Sequence, residues 1–196
     1  MFRSKRALAP IFTMICLVMI SAPVLAQDAA EADMAAMMAA GQPGEHHQHM
    51  AFQEGSWNVK GQFWMPGAPG PMESDGTATF KWILGGRFMQ QSYSSQFMGM
   101  DFQGIGTTGY DNLGKKYMAT WTDNMTTSIM SETGQCDGSG KKTEWKGSMP
   151  DPVSGGMIST RTEQIVESND KWEMTSYAVA PDGSKSPIMK LVYTRK

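Results

Sequence analysis

The densest set of chemistry-bearing side chains lies early in the chain: His46, His47 and His49, followed by Met50. His46 and His49 are three residues apart, so a helix would put them on one face. Imidazole suits Cu(II), Zn and Ni, and thioether suits Cu(I); Met34, Met37 and Met38 stand just upstream. One reading of the segment is a copper-handling site, and the other is a solvated polar leader that needs no cofactor. These are all the histidines of the chain, and that excludes more chemistry than it allows. A serine or cysteine nucleophile needs a base titrating near neutrality, and no imidazole follows His49. A histidine-ligated haem would need His47 or His49 to fold over the remainder of the chain. A zinc site further on would depend on carboxylates and Cys136, an uncommon set. Carboxylate acid–base chemistry stays open through Asp123, Glu163 and Glu173; otherwise these face water or pair with Arg87 and Arg161.

Gly104, Gly106 and Gly109 match the spacing G-x-G-x-x-G. A dinucleotide site needs that turn to open a helix, and here a turn into another strand follows. The glycines are better read as relief of crowding in a bent strand. The aromatic residues carry the leading expectation, because apolar walls with a few polar groups line most small-molecule pockets. The candidate ligand contacts are Trp82, Tyr93, Tyr110 and Trp121, with Arg87, Asp123 and Arg161 as the polar groups. Arg161 alternates with Ser159 and Glu163, and is the candidate inward charge for a ligand carboxylate. Trp145, Trp172 and Tyr177 complete an aromatic set that could equally fill an ordinary core.

The elements that must position these residues are strands. Residues 57–65 alternate apolar and polar with period two. The loop 66–71 holds three prolines, which no strand continues through. Further runs at 73–84, 87–98, 101–110 and 116–123 are separated by glycine- and asparagine-rich turns. The same rhythm continues through 126–135, 142–148, 157–167, 171–179 and 187–195. Nothing between these runs is long enough for a parallel crossover. The expected fold class is all-β: about ten strands in an antiparallel up-and-down barrel, closed to remove its edges. A short helix ending near Gly55 precedes it.

The chain has 196 residues and a formal net charge of −2. Arg3, Lys5 and Arg6 followed by the apolar stretch 8–20 and Val24-Leu25-Ala26 read as a signal peptide, residues 1–26. Residues 27–45 read as a flexible Ala/Met-rich leader, mobile or forming one short helix, and 46–196 as the barrel domain. The expected location is periplasmic or secreted, with no stable membrane insertion after cleavage. The acidic balance and the lack of a basic patch argue against nucleic acid. Cys136 is the cysteine left after cleavage, so no internal disulfide is expected. The 19 methionines suit flexible core filling and exposed loops; soft-metal ligation is the sharper alternative.

Four segments, WMPGAPGPMESDGTATFKWILGGRF, GYDNLGKKYMATWTDNM, MPDPVSGG and the terminal VYTRK, occur in this order. Through them the chain, from about residue 44 to its end, resembles the bacterial domain-of-unknown-function family numbered 1579. The resemblance implies a lipocalin-like barrel and transfers no activity. The expected function is therefore that of an exported protein of uncharacterised function that binds a small apolar or amphipathic molecule in a barrel cavity and is not an enzyme. The alternative is a periplasmic metal-handling protein that uses the His/Met segment.

Overall fold

The structure, a computed structural model, describes residues 22–151 and 154–196. The basic and apolar parts of the expected signal peptide lie outside the described residues. The chain divides into two units, 1–40 and 41–196. The first contains helix α1 (Ala22–Ala40) of 19 residues. It is longer than the short helix expected there, because Ala, Met and Glu favour helix and no glycine interrupts before Gly41. No described helix is long and apolar enough to cross a membrane.

The second unit opens with a one-turn helix α2 (Glu45–Gln48) and a 3-10 turn (Ala51–Gln53). Ten strands follow: β1 (Gly55–Phe63), β2 (Met72–Ile83), β3 (Phe88–Phe97), β4 (Met100–Asp111), β5 (Lys116–Asp123), β6 (Met130–Cys136), β7 (Lys142–Pro150), β8 (Met157–Ser168), β9 (Lys171–Val179) and β10 (Lys185–Arg195). Each pairs antiparallel with its sequence neighbours, and β1 pairs with β10 to close the barrel. The turn between β2 and β3 is left-handed at Leu84, Gly85 and Gly86, with φ of +49°, +67° and +81°. β6 starts at Met130 rather than at 126 as the sequence suggested. Asp123 is the reason: its Oδ1 accepts the amides of Met125 and Thr126 at 3.0 and 2.9 Å. That side-chain turn takes the backbone away from the ladder.

The two ends of the barrel differ. At one, α2 and the 3-10 turn lie across the opening. Trp57 Nε1 donates to the Gln53 carbonyl at 2.7 Å, Phe52 packs edge-on against Trp172, and Met50 is buried with Tyr117 and Trp145. Behind this cap Trp57, Val59, Phe80, Met89, Trp172 and Tyr193 form the core. Trp172 and Tyr193 stack with centroids 3.7 Å apart and planes 6° from parallel. Full burial of such side chains contributes roughly 1.5–3 kcal/mol each, so this end holds the barrel together. The loops 64–71, 98–99, 124–129 and 180–184 lie at the opposite end.

Candidate functional site

Strand alternation assigns every second residue to the barrel interior, and burial along those inward positions is graded. Toward the capped end they are buried: Trp57, Phe80, Met89, Tyr117, Trp145 and Trp172. Toward the uncovered end, Phe63, Phe102, Trp121, Met130, Met149 and Met189 also face inward but remain partly exposed. Phe63 stands opposite both Met72 and Met189 across neighbouring strands, and Trp121 opposite Met130. Exposed Met98, Met100 and Met157 flank the opening. This half of the barrel thus presents aromatic rings and thioethers that solvent reaches.

Two carboxyls, Asp123 and Glu132, stand on its inner face. Glu132 points inward from β6, and its Oε1 accepts hydrogen bonds from Thr160 Oγ1 and Thr162 Oγ1, both at 3.3 Å. Thr162 continues the chain of hydroxyls to Ser176 Oγ at 2.8 Å. Thr160, Thr162 and Ser176 are all buried. Gly147 opposite Glu132 makes room for it, since a Cβ there would sit 2.6 Å from Glu132 Cγ. Burial raises the Glu132 pKa above its ordinary value, and the two hydroxyls only partly offset this. Among the described residues no cation pairs with it, in contrast to Glu163, Glu167 and Glu173, each bridged to a lysine. Two further interior groups, Tyr93 Oη and Trp172 Nε1, are buried without a hydrogen-bond partner, a costly state for a donor.

The candidates read from the sequence are brought together only in part. Tyr93, Trp121 and Phe102 form one aromatic cluster, with ring centroids 5.9–6.4 Å apart. Trp121 Nε1 donates to Asp123 Oδ2 at 3.0 Å. These lie in the open half. Trp82 packs against both core clusters. Tyr110 lies at the capped end, and Arg87 lies in the β2–β3 turn, donating to the Leu84 carbonyl at 3.2 Å. Arg161 is a correction. It lies between inward Thr160 and Thr162 and pairs across the ladder with exposed Lys146, so it faces outward and cannot meet a ligand inside. Glu163 and Glu173 also face outward, paired with Lys185 at 3.5 Å and Lys190 at 2.9 Å. The three glycines of the G-x-G-x-x-G run lie in β4 with no helix after them. Gly104 and Gly106 give the Trp121 indole its place, and Gly109 does the same for Phe88.

The His/Met cluster is divided among different tasks. His46 Nδ1 and His49 Nδ1 both approach Tyr117 Oη, at 3.2 and 3.1 Å, and His46 stacks on Tyr110 at 4.0 Å. His47 is buried, and its Nδ1 accepts the Gly44 amide at 3.0 Å. Burial above all lowers its pKa, with help from His46 and Arg87. Met50 is in the core. The four therefore do not form one ligand set, and among the described residues no three His, Cys, Asp or Glu side chains group as a metal site.

An open groove of about 880 Å³ runs over the outer surface, across β10, β1, β2, β3 and β4. Several of its polar groups are paired. Lys60 pairs with Asp75 at 3.3 Å, Gln96 with Asp101, and Asn124 with the backbone of Gln103. Glu132, Thr160 and Thr162 went unread in the sequence because β6 and the middle of β8 are polar on both faces.

Comparison with known proteins agrees with this architecture. The family described as "Protein of unknown function (DUF1579)" matches residues 42–195. No curated protein matches the chain. Among solved structures, the crystal structure of Rv2717c from M. tuberculosis superposes with a TM-score of 0.55 at 14% identity, covering 79% of this chain and 99% of that one. A redesigned beta barrel gives a TM-score of 0.40 at 12% identity over 76% of this chain and 95% of its own. A third, EF1p2_mFAP2b bound to DFHBI, gives 0.42 at 11% identity over 78% and 100%.

Proposed function

Because the chain belongs to the DUF1579 family of proteins of unknown function, which brings a fold and no activity, we propose a function from the interior geometry: an exported barrel that binds one small amphipathic molecule in its open half. The observation that carries this reading is the burial gradient. A barrel that only needed a core would bury its inward residues from end to end, whereas Phe63, Phe102, Trp121, Met130 and Met149 keep surface open to solvent. Apolar surface left accessible within a concave wall is the usual basis of small-molecule affinity. Thioethers around the mouth add adaptability, since methionine repacks around different shapes at little cost. Glu132 and its hydroxyls supply the polar group that orients the occupant.

Native mass spectrometry of protein purified without chelator tests the reading. A co-purifying organic mass is expected, and the neutral dye Nile red should bind with an emission shift that Trp121→Ala abolishes. The absence of both a bound mass and dye binding would overturn it. Export rests on residues 1–26 and is tested by osmotic-shock fractionation of cells expressing the full chain. Release with the periplasmic fraction is expected, and retention in the cytosol would refute it.

A further inference from the structure

We propose that the occupant is an amphipathic cation: an apolar chain or ring among Phe63, Phe102, Trp121 and Met149, with a protonated amine on Glu132. The proposal rests on the ligand-binding reading above and names the class of ligand.

The argument is one of charge. Among the described inward-facing residues of the open half, Glu132 and Asp123 are acids and none is a lysine or arginine. Asp123 is already satisfied: Trp121 donates to its Oδ2 and two amides to its Oδ1. Glu132 is satisfied on one side only: both of its hydroxyl donors reach Oε1, while Oε2 has no hydrogen bond among the described residues and stays open to solvent. The cations nearest along the ladder, Lys146 and Arg161, stand opposite each other on the outer face.

A carboxylate withdrawn from water without a counter-charge is costly, and a cation placed beside it relieves that cost. An ammonium also matches the local donor count. It brings three N–H donors, one for Glu132 and the others for the lone pairs on the Thr160, Thr162 and Ser176 oxygens. A fatty acid or other anion would find no positive partner and would meet Glu132 directly. A neutral alcohol would satisfy one hydrogen bond and leave the charge uncompensated.

Displacement of Nile red by three molecules of equal chain length tests this: octylamine, octanol and octanoate, at pH 7.5. Octylamine should displace the dye at a concentration about ten-fold lower than octanol, with octanoate weakest, the contrast a charge pair in a water-poor site gives. Glu132→Gln should collapse the amine preference to within about two-fold. Arg161→Gln, on the outer face, should leave the series unchanged. Equal displacement by all three, tighter octanoate, or an amine preference that survives Glu132→Gln would overturn the inference while leaving ligand binding intact. Failure of the dye itself to bind would remove both. The wild-type series decides the matter without the variant, should Glu132→Gln fail to fold.

Discussion

At the scale of single residues, Glu132 and His47 are both held away from their ordinary titration, in opposite senses. The Glu132 value is raised by burial, so ionisation costs stability. The penalty is absent below the usual carboxylate range near 4.3 and grows as pH rises through the folded value. Glu132→Gln should therefore stabilise the apo protein at pH 7.5 by about 1 kcal/mol and have little effect at pH 4. Urea unfolding at the two pH values checks this, and a variant less stable at both would contradict it. His47 is the reverse case. Its value is lowered from 6.5 by burial above all, with the neighbouring His46 and Arg87 adding to it. Its contribution is complete above the ordinary imidazole value and is lost as pH falls through the lower folded one. The thermal midpoint of the wild type should drop between pH 7.5 and 5 more steeply than that of His47→Gln, whose amide oxygen still accepts. Parallel slopes would refute the capping role.

At the scale of elements, β4 and β5 are fitted to each other through absent side chains. A Cβ on Gly104 would lie 2.6 Å from Trp121 Cη2, so Gly104→Ala must move the indole. The expected cost is about 1–3 kcal/mol, with a change in tryptophan emission and weakened dye binding. Gly70, in an open loop with nothing within 4 Å, is the control, and Gly70→Ala should stay within about 0.5 kcal/mol. How much the sequence disclosed varies by element for a physical reason. In β1 and β2, Trp57, Val59, Ala78 and Phe80 alternate strictly, so the strands and the residues sharing a face were readable, and the pairing of Trp57 with Ala78 shows that face to be the inner one. In β6, MSETGQC offers no apolar period, and in β8 the run Ser159–Glu163 is polar on both faces. Register alone decides such a strand, and the pairing of Trp145 with Thr162 turns Thr162 inward and Arg161 out. The site's carboxyl and two of its three hydroxyls lie on these two strands, which is why the fold was legible and the site was not.

At the scale of the whole molecule, the barrel closes through one clasp. Arg195, in the last strand, donates from Nη1 to the Glu54 carbonyl at 2.8 Å and from Nη2 to the Phe52 carbonyl at 2.7 Å. Its Nε bonds Asp170 at 2.9 Å, and its guanidinium lies 4.3 Å from the Trp57 ring. It thereby ties the cap, β1, the β8–β9 turn and β10 together. Arg195→Ala should cost about 2–4 kcal/mol. Arg195→Lys should recover little of this, because an ammonium lacks the planar fork that serves several acceptors. Chemical denaturation of both variants checks the ordering, and full rescue by lysine would show that charge alone matters. The seam that Arg195 secures also sets the timing of folding. Every other strand pairing joins sequence neighbours, and only β1 with β10 joins the two ends of the domain. Neighbouring hairpins form with little loop-closure entropy, whereas that one seam must wait for the longest loop. A nascent or truncated chain ending before Lys185 would leave β1 and β9 as raw edges, each a template for another copy. The last eleven-residue strand therefore converts an open nine-stranded sheet with two adhesive edges into a self-contained barrel.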